Sequence, residues 1–523
     1  MLLALAFATL VIAVTAFGRR LSVPTPVLQV FAGMLVGLVP TVQMPELDPD
    51  IVFFVFLPPI LWAAAFFTSL REFMANRRQI SWLAVGLVLA TSVLVAYVAR
   101  WLIPGLPWAA AVALGAIVSP PDAVAAAAVV SRLPVPRRVI VILEGESLVN
   151  DASALVLYRT AVAAAVTGTF SLGEAVVRFF LDAGVGVLVG LFVGWCLIRA
   201  AKRTQDELAE ILLTLAGPYA AWTIAETIHV SAVLACVAGG LYTRQHLSTA
   251  VGAKSRLQAR AVWDLLVFVL NAMIFTLLGV QFADQVLVMP WSEIWRYMRP
   301  GLYISIAIIA IRLLWVPVAS YVPSFLSSDP ARRAERPDRR NVFLVGWTSM
   351  RGIVSLATAF ALPFVVSDGS PFPHRQELVF ITMFVILFTL VAQGCTLAPI
   401  IRWFHYSPET HMHREVKLAR LEAARRAAEA LEDAAREPWA STADVAFLRA
   451  ELIDRVRQCQ EANGDSATTR ARLRDHMREA ERRMLVRLRD EGAIGDEVLL
   501  ELERDLDLDA IRGAGNGHHM VKA

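Results

Sequence analysis

Eight consecutive residues, Glu144-Gly145-Glu146-Ser147-Leu148-Val149-Asn150-Asp151, place three carboxylates inside an otherwise apolar stretch. On a helix, residues four apart share a face, so Glu146 lies in line with Asn150 and Ser147 with Asp151. The two columns are offset by about 100°, one residue's rotation, and together form one polar stripe. Carboxylates facing lipid carry a severe desolvation cost. These must therefore line a hydrated cavity, meet cationic partners or hold protons. Serine and asparagine alone would suffice to hydrogen-bond one helix to another. Glu144 is nearest the end of its run, where plain solvation accounts for it.

Two other segments carry comparable signals. Ser119-Pro120-Pro121-Asp122 sits in mid-run. Two prolines remove backbone donors and obstruct the preceding turn, so the helix should break there. At membrane depth broken backbone is tolerated only where it is buried in protein or lines a cavity. Its freed carbonyls and amides beside Asp122 are the materials of a midplane ion site. Arg312 lies deep in Ile311-Arg312-Leu313-Leu314-Trp315. A buried guanidinium keeps its proton and requires an anion, which Glu146 or Asp151 could supply. Arg351, in Thr348-Ser349-Met350-Arg351-Gly352, is a second intramembrane arginine. Asp182, Glu226 and Asp264 fall near run ends, where exposure at the interface explains them. Asn271, Gln281 and Gln393 suit interhelical hydrogen bonds.

The elements that must position these groups follow from hydropathy. Of 523 residues 57% are hydrophobic and 18% charged, too much apolar surface for a soluble domain to hide. Spans need about 20 apolar residues, and the chain offers about thirteen candidates between residue 1 and residue 403. The shortest is the ninth, near 229–243. Met1 to Phe17 lacks a basic n-region and a small-residue cleavage site, so it reads as a membrane helix and not a cleaved signal. Basic clusters fall in alternate loops: Arg19–Arg20, Arg77–Arg78, Arg137–Arg138, Lys202–Arg203, Lys254 with Arg256 and Arg260, and Arg339–Arg340. By the positive-inside rule the N-terminus is outside and the C-terminus cytoplasmic. From about Tyr406 the composition turns to Arg, Glu, Asp and Ala, with helical patterns near 415–436, 443–461, 467–489 and 497–511. Residues after Gly513 carry a disordered composition. The four cysteines form no CxxC pair and read as free thiols. The net charge of +3 gives no reason to expect nucleic acid as a partner.

At these residues the chain resembles the monovalent cation:proton antiporters, in the branch containing bacterial and animal sodium/proton exchangers. The matching pieces are Leu57-Pro58-Pro59-Ile60-Leu61, Ser119 to Val124, Glu144 to Asp151, Arg312, Met350-Arg351-Gly352 and Val391-Ala392-Gln393-Gly394. The resemblance implies an all-α polytopic fold with inverted repeats and two broken helices crossing near the midplane. It implies a membrane exchanger domain over 1–405, a helical regulatory tail over 406–523, and a homodimer in the inner membrane. It assigns Asp151, Asn150, Ser147, Asp122 and Ser119 to cation and proton binding, with Asp151 and Ser147 touching Na⁺. Glu146 and Arg312 become a structural ion pair, and Arg351, Pro120 and Pro121 support the breaks. No cofactor is implied; Na⁺ and H⁺ are the transported substrates.

The chain departs from the family pattern twice. Relatives carry Thr-Asp-Pro where this chain has Pro121-Asp122-Ala123, so a hydroxyl ligand is missing or comes from Ser119. Many relatives also have an acid just after Leu-Pro-Pro-Ile-Leu, where this chain has Trp62, Ala63, Ala64 and Ala65. Arg351 thus lacks that partner. A guanidinium has five donors in a fixed fork, so capping of broken-helix carbonyls is its expected role, with Asp122 as the other candidate anion.

Asp151 can hold a proton or a cation, and Asn150 cannot carry a second charge. The expected activity is therefore electroneutral one-for-one exchange of Na⁺, with Li⁺ or K⁺ as further substrates, by a secondary transporter and not an enzyme. The rivals are a potassium/proton antiporter of the same fold and an ion channel or sensor. An intramembrane hydrolase would need HExxH, GxGD or a GxSG serine motif, and the sequence has none.

Overall fold

The computed structural model describes residues 9–14, 16, 18, 23–39, 49–130, 133–168, 172–204, 206–325, 337–406, 410–437, 439–460, 465–491, 498–499, 502 and 506. Most of the first run, the Arg19–Arg20 pair, most of 497–511 and everything after it lie outside the described residues. By internal packing the chain divides into two units, Met1–Tyr406 and Ser407–Ala523. Among the described residues the only β pairing is an isolated bridge between Val365 and Pro371; the rest is helix and connection.

The first unit contains α1 (Thr25–Gly37), α2 (Pro49–Phe67), the short α3 (Leu70–Ala75) and α4 (Arg77–Leu102). A broken helix follows, as α5 (Trp108–Val118) and α6 (Ala123–Val130), and then α7 (Arg137–Thr167). Next come α8 (Leu172–Ala201), α9 (Glu207–Thr227), α10 (Ala232–Ala250), α11 (Ala253–Val288) and α12 (Trp291–Phe325). The second broken helix is α13 (Arg339–Trp347) with α14 (Ile353–Phe360), and α15 (Arg375–Trp403) closes the unit. Among the described residues six helices are long and apolar enough to cross a membrane, and Thr25–Gly37, Phe53–Phe67 and Trp108–Val118 are shorter apolar helices. The short ninth run is a full helix, α10, because its polar end from Tyr242 to Ala250 stays helical. The second unit contains α16 (Thr410–Ala434), α17 (Thr442–Gln460) and α18 (Asp465–Asp490), within a few residues of the charge-patterned stretches.

Helix starts follow local chemistry. Asp206, Ser231 and Asp338 cap α9, α10 and α13 through side-chain oxygens that accept from Ala209, Leu234 and Arg340 amides. Such caps satisfy donors that the first turn leaves open. Gly168 ends α7 in the left-handed conformation at φ 72°, which a glycine adopts without steric cost. Pro58 and Pro59 lie inside α2. Pro59 leaves the Val55 carbonyl without its helical donor, and the Tyr219 hydroxyl of α9 donates to it at 3.3 Å. Trp62 is among the largest fully buried side chains. It fills a notch at Gly217 and Gly239, where an added Cβ would meet its ring.

Candidate functional site

The prolines break the fifth run as their chemistry requires. Pro120 has no N–H for the Ala116 carbonyl four residues back, and the Ser119 hydroxyl donates to that carbonyl instead, at 3.0 Å. The next amide, that of Asp122, does not return to Val118. It crosses to the second broken helix and donates to the Met350 carbonyl at 2.7 Å. The two interruptions therefore meet, and the connection 348–352 between α13 and α14 runs against 119–122. The contact is close: a side chain on Gly352 would overlap the Asp122 carboxylate. That carboxylate lies against the start of α14, where helix amides and dipole favour negative charge.

Arg351 closes the crossing. It is 1% exposed. Its Nε donates to the Val118 carbonyl at 2.9 Å, replacing the donor that Asp122 sends elsewhere, and Nη2 donates to the Ser119 carbonyl at 3.2 Å. Nη1 donates to the carbonyl and hydroxyl of Ser349. Its amide donates to the Thr389 hydroxyl of α15 at 3.2 Å. The fork thus joins orphan carbonyls of both breaks.

Arg312 of α12 faces Glu146 of α7 as a two-pronged pair. Nη2 donates to one carboxylate oxygen at 2.8 Å and Nη1 to the other, with both side chains 1% exposed. Arg312 Nε also donates to the Val345 carbonyl at 3.2 Å. One guanidinium therefore ties α12 to α7 and to α13, the first half of the second broken helix.

A cavity of about 290 Å³ lies between α2, α7, α11 and the two breaks. Among the described residues its polar lining is Asp122, Glu144, Ser147, Asp151, Asp264 and Ser355, with no Lys, Arg or His. Asp151 is buried at 6% exposure. On α7 the lining residues run from Glu144 to Asp151, and beyond them Leu155 and Tyr158 are buried. Oxygen atoms in such a setting suit a hard monovalent cation, and Asp151 can hold a proton in its place.

The structure separates some residues that the motifs group. Asp151, Ser147, Asp122, Pro120 and Pro121 line the cavity together. Ser119 does not, because its hydroxyl replaces the missing Pro120 amide; its expected place among the ion ligands is not where its side chain lies. Asn150 does not line it either. The rotation that points Asp151 into the cavity turns Asn150 to the Glu146 side of α7, where it is fully buried with neither amide atom hydrogen-bonded among the described residues. Glu144, expected to be solvated at a run end, lines the cavity, and so does Asp264 of α11, which is exposed as expected. Ser355 carried no sequence signal beyond being a lone serine after Arg351-Gly352 in an apolar segment.

Comparison with known proteins agrees with this geometry. Residues 5–403 match the family described as sodium/hydrogen exchanger, transmembrane. An uncharacterised Na(+)/H(+) exchanger of Mycobacterium tuberculosis is 34% identical over 95% of this chain and 93% of its own length. A sodium, potassium, lithium and rubidium/H(+) antiporter of Bacillus pumilus is 36% identical over 72% of this chain and 57% of its own. Among solved structures, the sodium proton antiporter MjNhaP1 from Methanocaldococcus jannaschii superposes with a TM-score of 0.58 at 18% identity, covering 77% of this chain and 99% of that one. Its fold is therefore shared. With a matched region spanning both broken helices and the Asp151 stripe, the chain belongs to the sodium/hydrogen exchanger family.

Proposed function

We propose that this protein is a secondary active antiporter that exchanges sodium for a proton, one for one, with Asp151 holding either ion in turn. The observation that carries this reading is the cavity. Buried Asp151 lines it together with Ser147 and the crossing of two broken helices, and its charged lining among the described residues is all carboxylate. A cation that enters meets oxygen ligands and one group able to take its charge. When the cation leaves, a proton neutralises the same carboxylate, and only neutralised Asp151 crosses cheaply between the two faces. Asn150 adds no second titrating charge, which supports electroneutral exchange.

The cavity reaches Asp151 along the end of α7 that carries Glu144, and the same stripe is closed beyond it by Leu155 and Tyr158. A path open from one end supports alternating access over a continuous pore. With basic clusters facing the cytoplasm, this end is the cytoplasmic one, the N-terminus is outside, and the unit from Ser407 is a cytosolic tail that regulates exchange. The protein works in the inner membrane as a homodimer. The Bacillus pumilus relative's name supports acceptance of Li⁺ and K⁺ as well as Na⁺. In everted vesicles, Na⁺, Li⁺ and K⁺ added in turn should each reverse a preset proton gradient, Na⁺ most strongly. In voltage-clamped proteoliposomes a sodium gradient should drive no current. A steady sodium-driven current would rule out one-for-one exchange.

A further inference from the structure

The motif that supplies relatives with a hydroxyl at the first break is altered here to Pro121-Asp122-Ala123, and the neighbouring Ser119 hydroxyl is committed to the Ala116 carbonyl at 3.0 Å. The cavity nevertheless has a second hydroxyl besides Ser147. Ser355 lies in the first turn of α14, is 1% exposed and lines the same cavity as Asp122 and Asp151. Its Oγ has no hydrogen-bond partner among the described residues. A serine in a helix ordinarily returns its hydroxyl to a carbonyl three or four residues back. Other hydroxyls of these helices do so: Thr358 donates to Val354, Thr382 to Leu378 and Thr389 to Val385. The carbonyls four and three residues before Ser355 are those of Arg351 and Gly352 at the break, and its Oγ is bonded to neither. A buried hydroxyl without a partner is costly, and one facing an acidic cavity is offset when an ion occupies it.

We propose that Ser355 is a ligand of the transported cation, supplying from the second broken helix the hydroxyl oxygen that the first one lacks. The cation is then held between α7, through Asp151 and Ser147, and the second broken helix, through Ser355 of α14. This arrangement rests on Asp151 being the exchanging carboxylate. It also links occupancy to shape: a cation bound to α14 and α7 draws together the two walls that must move as one when the site changes sides.

The test uses three substitutions in the full-length chain. Ser355→Cys preserves size but offers a soft sulfur that a hard cation disfavours. Ser355→Ala removes the ligand, and Ser355→Thr restores an oxygen. Two readouts are needed: the sodium concentration that half-saturates exchange in everted vesicles, and the rise in melting temperature of purified protein when NaCl replaces choline chloride. Ser355→Cys and Ser355→Ala should each raise the half-saturating sodium concentration about tenfold and shrink the sodium-dependent rise in melting temperature. Maximal exchange at high sodium should persist, and Ser355→Thr should fall within about twofold of the parent. Half-saturation of Ser355→Cys within twofold of the parent, or equal losses in Ser355→Cys and Ser355→Thr, overturns the assignment. Asp151→Asn is measured alongside. If Asp151→Asn still exchanges, the carboxylate reading fails. If it is inactive while Ser355→Cys keeps the parent's sodium response, only the serine assignment fails.

Discussion

Replacing Glu146 by Gln should be more damaging than replacing its partner Arg312 by Met, although the two remove opposite ends of one contact. Both side chains are 1% exposed, so neither charge has water to turn to. Removing one member of a buried pair typically costs about 3–5 kcal/mol, most of it from the charge left behind. The leftovers differ. With Arg312 gone, the Glu146 carboxyl can bind a proton and become neutral. With Glu146 replaced by Gln, Arg312 cannot shed its charge and is left with neutral acceptors, the new amide oxygen and the Val345 carbonyl. The Glu146→Gln variant should therefore sit at the upper end of that range and Arg312→Met at the lower end. The double variant removes the stranded charge and leaves side chains of similar volume, so it should lose less than the sum by about 2 kcal/mol or more. Melting temperatures of the four purified proteins in one detergent give the comparison. Simple additivity, or a double variant worse than either single one, would refute the pair as the link between α12 and α7.

Arg351→Lys should lower stability by about 3 kcal/mol and exchange along with it, because an ammonium keeps the charge but cannot reach Val118, Ser119 and Ser349 together; an unchanged melting temperature with a tenfold shift in sodium affinity would place the residue in the ion site instead. Gly352→Ala should reduce exchange at least tenfold by pushing a methyl into the Asp122 carboxylate, and parental exchange rates in everted vesicles would contradict the close crossing. Truncation after Glu415 should leave folded, exchanging protein with an altered pH profile, whereas a well-expressed truncation without exchange would make the tail part of the transport unit.

The readable parts of the site were those where an apolar run carries something that lipid does not tolerate. Glu146, Asp151 and Arg312 are charges that need an explanation, and Pro120 and Pro121 cannot continue a helix. The role of Arg351 followed from an absence, since Ala63 to Ala65 offer it no acid and broken backbone offers it carbonyls. Hydroxyls were harder to place. Ser119 and Ser355 are the same residue type beside the two breaks, and sequence favoured the one next to Asp122. Only geometry shows that Pro120 claims the Ser119 hydroxyl for the Ala116 carbonyl and that Ser355 reaches the cavity. Asp264 is exposed as its place near a run end suggests, and what sequence does not show is that this exposed carboxylate also borders the cavity. The ninth run is the shortest by hydropathy because the helix continues through the polar Arg244, Gln245 and His246.

The most direct measurement is sodium-driven proton movement in everted vesicles containing Asp151→Asn at parental expression, with the purified variant's melting temperature as the check on folding. The substitution keeps the size and polarity of the side chain and removes its ability to hold a proton or balance a cation. Added sodium should leave the preset proton gradient untouched in the variant and collapse it in the parent. Collapse in the folded variant at the parental rate would show that Asp151 is not the group the two ions share.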